Sequence, residues 1–204
     1  MKVFLFIIAV TGWFGLIIQL WLNLNNGNLP LDETLIRYFS YFTILTNIMV
    51  AVAASVILLV PESKSGRFTT KQATQTAIAV YIVIVGIIYN VLLRPIWNPE
   101  GLQRVVDEVL HVIVPVLWLL YWLLLPKNQL QWKNCWPWLL YPLLYSIAIF
   151  IRGAFSGFYP YFFIDAAALG LPKALLNAVF VAVAFLLISL LFIGISKLAN
   201  KKAG

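Results

Sequence analysis

Residues 105–125 read VVDEVLHVIVPVLWLLYWLLL, and from Val109 onward only His111 and Pro115 interrupt the apolar sequence. A hydrocarbon core is crossed by about 20 such residues in a helix. The segment is therefore read as a transmembrane span, with Asp107 and Glu108 in its first turns and His111 roughly two turns from its start. An ionisable side chain at that depth is expensive unless it faces a polar interior, which makes it a functional candidate.

Working outward, five more runs have the same character: Val3 to Leu22, Ile36 to Val60, Ala73 to Leu93, Trp136 to Arg152, and Leu175 to Ile195. The fifth span in chain order, 136–152, is the weakest, because Pro137 and Pro142 interrupt it. The chain of 204 residues is 63% hydrophobic and 10% charged, against about 25% charged in soluble domains. The expected fold is an all-α integral membrane bundle of six helices in one domain, 1–204, with short connections. The first run lacks a small-residue cleavage site and is read as a retained helix rather than a signal peptide.

Net charge is +7, but the basic residues flank the apolar runs, so they encode topology rather than nucleic-acid binding. Six spans place both termini on one side. That side carries Lys2, Lys64, Arg67, Lys71, Lys127, Lys133, Lys197, Lys201 and Lys202, and the other carries Arg37, Arg94, Arg104, Arg152 and Lys173. Nine against five predicts cytoplasmic termini. One cysteine, Cys135, and one histidine exclude an intrachain disulfide and any cysteine-based metal cluster. Neither a cofactor nor a metal is expected.

With that topology the polar residues gather at one depth. Thr43 and His111 each lie six or seven residues inside their spans, about 10 Å at ~1.5 Å per residue. Ser40, Thr43 and Asn47 share a helical face, as do Asp107 and His111. Gln19, Asn23, Tyr89, Asn90, Arg94, Arg152 and Asn177 mark the same end of other spans. Each has a bland reading as well. Hydroxyls bond back to their own helix, Asn47 can serve as interhelical glue, and terminal arginines snorkel. Pro115, four residues after His111, removes the N–H that would bond the His111 carbonyl and predicts a kink.

A threonine hydroxyl with a histidine base is a minimal activated nucleophile for acyl transfer, given a third group to orient the imidazole. Thr43 and His111 are the candidate catalytic pair, with Asp107 the nearest group to orient the ring and Asn47 and Ser40 in support. Asn47, Asn90, Tyr89 or an arginine could stabilise an oxyanion. A competing reading is a non-enzymatic transport or binding protein in which His111 and Asp107 relay protons or hold a small ligand. The few polar groups in the other halves of the spans argue against a continuous path.

Three segments carry a family resemblance. They are Tyr41-Phe42-Thr43 with Ile44, Asp107 through His111 to Pro115, and Gly157-Phe158-Tyr159-Pro160-Tyr161-Phe162. In these the chain resembles the ADTRP-like, androgen-induced family of multi-pass membrane threonine hydrolases, and most of all its small prokaryotic six-helix members. The family carries Asn where Asp107 stands, and its proline follows the histidine one residue later. The resemblance implies hydrolysis of fatty acid esters of hydroxy fatty acids in a prokaryotic cytoplasmic membrane. It implies Thr43 as nucleophile and His111 as base and acid. Asn90, Arg94, Arg152 and Tyr161 are then candidates for holding a lipid substrate, with an arginine for its carboxylate.

Overall fold

The computed structural model describes residues 1–25, 29–127 and 130–203, those from 201 on by their backbone alone. It is helical throughout, with no strand among the described residues. Six helices are long and apolar enough to cross a bilayer, as in a multi-pass membrane protein: Lys2–Asn25, Phe42–Leu59, Gln72–Leu93, Gly101–Leu124, Trp132–Ser156 and Leu171–Asn200. The chain forms two compact units, Met1–Gln129 and Leu130–Gly204.

The first unit begins with α1 (Lys2–Asn25). A short amphipathic helix α2 (Leu31–Ser40) follows, with Asp32 and Glu33 in its first turn and Arg37 in its last. Those charges match the helix dipole, and Glu33 accepts from Arg37 Nε at 2.6 Å one turn apart. Tyr41 then turns extended (φ −83°, ψ 125°), and α3 (Phe42–Leu59) starts afresh. The continuous span expected from Ile36 is thus two helices.

After α4 (Lys64–Thr69), whose first turn is capped by Ser63 Oγ accepting from Gly66 N at 2.9 Å, α5 (Gln72–Ile88) runs into a π-helical turn, Tyr89–Leu93. The fourth span is α6 (Gly101–Glu108), a second π turn at Val109–Ile113, and α7 (Val114–Leu124). The disturbance expected from Pro115 is this wide turn, closed by the Val114 N–H on the Val109 carbonyl. Pro115 itself falls in the first turn of α7, where its missing N–H costs nothing.

Glycines let these helices approach closely, as is common between membrane helices. A Cβ on Gly12 would lie 3.1 Å from Ala51 Cβ, and one on Gly15 would lie 2.7 Å from Leu110 Cδ2. Leu16, Tyr38, Ile44, Ala51, Val106 and Leu110 form a buried apolar cluster around that contact. Tyr38 Oη ties α2 to α1 by donating to the Leu16 carbonyl at 2.8 Å. At the far end of α5 and α7, Gln75 Nε2 donates to Tyr121 Oη (3.0 Å) and Trp122 Nε1 to Thr76 Oγ1 (2.9 Å).

The second unit consists of a short 3-10 turn at Trp132–Asn134, α8 (Cys135–Ser156), a 3-10 turn at Phe162–Ile164, α9 (Ala166–Leu169) and α10 (Leu171–Ala203). Pro137 falls in the first turn of α8, and the helix continues through Pro142. It ends on Gly157, whose φ of +69° is the left-handed conformation that glycine adopts without strain. In the segment that follows, Asp165 Oδ1 caps α9 by accepting from Ala167 N (2.9 Å) and Ala168 N (3.0 Å). Asn177 Nδ2 holds the Phe163 carbonyl at 2.8 Å.

Candidate functional site

The break at Tyr41 sets the position of Thr43. It stands in the first turn of α3, buried, with the helical ladder restarting at Leu45 N–H on the Tyr41 carbonyl (3.2 Å). Ile44, the residue after it, would have to reach back across the break to find its usual acceptor. First-turn amides of this kind lie outside the backbone ladder and favour negative charge.

His111 sits in the middle of the second π turn. Such turns recur at functional sites because one extra residue per turn redirects side chains. Tyr89, the first residue of the other π turn, stacks on the imidazole with ring centroids 3.9 Å apart and planes 14° from parallel. Arg94 lies over the Tyr89 ring at 5.2 Å and pairs with Glu108 at 2.8 Å. That hydrogen bond to Glu108 holds the Arg94 pKa above its ordinary value. Gly86 lets α5 close on the main chain of this turn: a Cβ there would be 3.2 Å from the His111 carbonyl oxygen and 3.4 Å from Pro115 Cβ.

His111 Nδ1 lies 2.9 Å from the backbone carbonyl of Asp107. A carbonyl only accepts, so Nδ1 carries the proton and, in the neutral ring, Nε2 carries the lone pair. The Asp107 carboxylate is 3.7 Å from Nδ1, too far for a hydrogen bond. Asp107 therefore orients the histidine, but through its main chain. Its carboxylate is engaged elsewhere: Oδ2 accepts from Tyr89 Oη (3.2 Å) and Trp97 Nε1 (2.5 Å), and Gln103 stands one turn before it. Gln103 in turn exchanges two bonds with Gln19, its Nε2 donating to Gln19 Oε1 at 2.8 Å and its Oε1 accepting from Gln19 Nε2 at 3.3 Å.

Asn47 joins the two halves of the site. Its Nδ2 donates both to the Thr43 carbonyl (2.9 Å) and to the Leu110 carbonyl (3.1 Å). One fully buried amide thus spans from the residue bearing the hydroxyl to the neighbour of the residue bearing the imidazole. Both of its N–H groups are spent, so Asn47 cannot donate to an oxyanion. Tyr89 Oη is spent on Asp107 in the same way.

The structure thus brings Thr43, Asn47, Asp107 and His111 to one level of the first unit, with Tyr89 and Arg94 beside them. Ser40 Oγ donates back to the Ile36 carbonyl at 2.7 Å, the bland reading of a helical serine. Asn90 is exposed and bonds the Gly86 carbonyl at 2.8 Å. Arg152 and Tyr161 belong to the second unit, where Arg152 lies over the Phe158 ring at 4.9 Å and Tyr161 stacks on Phe163 at 5.3 Å.

Sequence reasoning missed Gly86 and Gln103. Their signals were faint: a glycine three residues before a tyrosine, and a glutamine four residues before a buried aspartate. No cluster of three or more His, Cys, Asp or Glu that could hold a metal occurs among the described residues. Comparison with family models, with curated proteins and with solved structures finds no match for the chain.

Proposed function

We propose that the protein is a membrane-embedded hydrolase of lipid acyl esters, with Thr43 as nucleophile and His111 as general base and acid. One observation carries the reading. The main-chain bond from His111 Nδ1 to Asp107 fixes the tautomer that leaves Nε2 basic, in a ring clamped by Tyr89. The Asn47 amide ties that turn to the one bearing Thr43.

The reaction follows the general logic of an activated hydroxyl. His111 Nε2 takes the Thr43 Oγ proton as Oγ attacks the ester carbonyl, then returns it to the departing alkoxide. The oxyanion needs a donor. With Asn47 and Tyr89 committed, the role falls to the α3 first turn, above all the N–H of Ile44, beside the nucleophile. Amides after a nucleophile serve this purpose in other hydrolases. The resemblance to the androgen-induced family supports the same pair and suggests fatty acid esters of hydroxy fatty acids as substrates.

Arg94 stands near the end of its span, in reach of a carboxylated chain at the bilayer surface if Glu108 yields it. We place the site in the outer leaflet of a prokaryotic cytoplasmic membrane, with both termini cytoplasmic, from the distribution of basic residues. A fluorophosphonate probe should label wild-type protein and the Thr43→Ser variant, and leave Thr43→Ala and His111→Ala unlabelled. Equal labelling of all four would remove Thr43 from the role. Flux of a weak acid into liposomes that depends on His111, without labelling, would favour the transport reading instead.

A further inference from the structure

The carbonyl oxygen of Asn47 has no hydrogen-bond partner, although the residue is completely buried. Its assignment is fixed, because the other amide atom faces two carbonyl oxygens and must therefore be the nitrogen. A buried acceptor without a donor is costly and asks for an explanation, commonly a catalytic or binding role. Two other buried oxygens share the condition, Ser189 Oγ and Ser196 Oγ. A serine hydroxyl can rotate onto its own helix, whereas Asn47 Oδ1 is locked in place by its own nitrogen.

The geometry points to Asn47 Oδ1 as the acceptor of a hydroxyl subsite at the level of Thr43 and His111. Its ligand is water, which keeps one hydrogen for this acceptor when the other passes to a base. This inference rests on the hydrolase reading and supplies what that reading lacks, a place for the second substrate. In the first half of the reaction Thr43 Oγ bonds to the acyl carbon and the ester C–O bond breaks. The alkoxide leaves as an alcohol with the proton from His111 Nε2. In the second half a water oxygen attacks the acyl–threonine carbonyl, and one of its protons passes to His111 Nε2. The other hydrogen is held by Asn47 Oδ1. Collapse releases the carboxylic acid, and Thr43 Oγ recovers its proton from His111. The leaving alcohol has one hydrogen, the one that His111 returns to it, so the acceptor acts on the entering water alone.

The experiment uses the full chain in detergent and a p-nitrophenyl acyl ester, with the burst read separately from the steady state. Asn47→Leu matches the volume and has no acceptor. Asn47→Thr retains a hydroxyl that can bond the Thr43 carbonyl and also accept. Losing the tie from Asn47 to the Thr43 and Leu110 carbonyls slows the burst as well, so the readout is the later phase relative to it. We expect Asn47→Leu to lose at least about tenfold more in the later phase than in the burst, the scale of one hydrogen bond. Acyl–Thr43 should then accumulate by intact mass, while transfer to added methanol, whose single hydroxyl hydrogen goes to His111, should fall no further than the burst does. Asn47→Thr should recover part of the loss, and it carries the test alone if Asn47→Leu does not fold, by a later phase slowed more than the burst. Burst and later phase falling by the same factor, or methanol transfer falling as far as hydrolysis, would overturn the subsite. A normal later phase in both variants with a Thr43-dependent burst would overturn it alone. The absence of any Thr43-dependent burst in wild type would remove the hydrolase reading and the subsite with it.

Discussion

Tyr89 and His111 lie face to face, 3.9 Å between ring centroids, each contributed by a π turn on a different membrane-length helix. A ring held on one face by an aromatic and at Nδ1 by a carbonyl has little freedom left. Stacked aromatic pairs contribute about 0.5–1.5 kcal/mol beyond area. Tyr89→Ala should therefore lower the turnover number by about tenfold with little change in KM, by loosening the base. Tyr89→Phe keeps the stack and loses only the donation to Asp107, so its turnover should stay near wild type while stability falls by about 1 kcal/mol. Steady-state kinetics with thermal melts of both variants check this. Equal turnover losses in the two would mean that the hydroxyl, not the stack, matters.

The Asp107 carboxylate does not contact Nδ1, and that separates this site from a Ser-His-Asp triad. In such triads Asp→Asn costs about 10⁴ in kcat by selecting the wrong tautomer. Here the tautomer is set by a main-chain carbonyl that survives the substitution. An asparagine oxygen can still accept from Tyr89 and Trp97. Asp107→Asn should accordingly lose less than about tenfold in turnover, far below the triad value. A loss of three orders of magnitude would sink the main-chain account.

Much of this was legible in the sequence, for reasons that differ by element. The six spans follow from run length, because nothing else holds 20 apolar residues together. The break at Tyr41 was not legible: the residues on both sides are apolar or hydroxylated, and no glycine or proline announces it. Its trace is the charge on Asp32, Glu33 and Arg37, which suits an amphipathic helix better than a span. Pro115 signalled a disturbed helix at His111 but not its form. No residue signalled the π turn at Tyr89. Asp107 and His111 were paired by their spacing. Which oxygen of Asp107 meets the ring depends on the turn between them, and spacing alone does not specify that.

Gly86 is the contact that lets α5 pass close behind His111. A methyl group there meets the His111 carbonyl at 3.2 Å and Pro115 at 3.4 Å, so Gly86→Ala needs only a shift of a few tenths of an ångström. Valine adds two carbons to a Cβ that is already tight against the His111 carbonyl. Gly86→Val should destabilise the protein by about 1–3 kcal/mol, in the range of overpacked cores, and reduce turnover more than Gly86→Ala does. A melting series of the two variants in detergent, paired with ester turnover, measures both. Wild-type melting for Gly86→Val would show that the helices stand further apart.

Gly153 raises the same issue in the second unit, in a sharper form. An added Cβ would sit 2.2 Å from Cε1 of Tyr159 and 2.3 Å from Cζ, and no side chain tolerates that distance. The Tyr159 ring also packs on Phe150, with centroids 6.2 Å apart, so it cannot move without breaking a second contact. Gly153→Ala should therefore cost about 1–3 kcal/mol despite the gain in helix propensity. Tyr159→Ala removes the obstruction, and in that background Gly153→Ala should become neutral or stabilising by about 1 kcal/mol, the glycine-to-alanine difference within a helix. The interaction energy from the double-mutant cycle is the measurement, since two residues in contact should fail to add. Additive effects would mean that the tyrosine does not lie against the helix at Gly153.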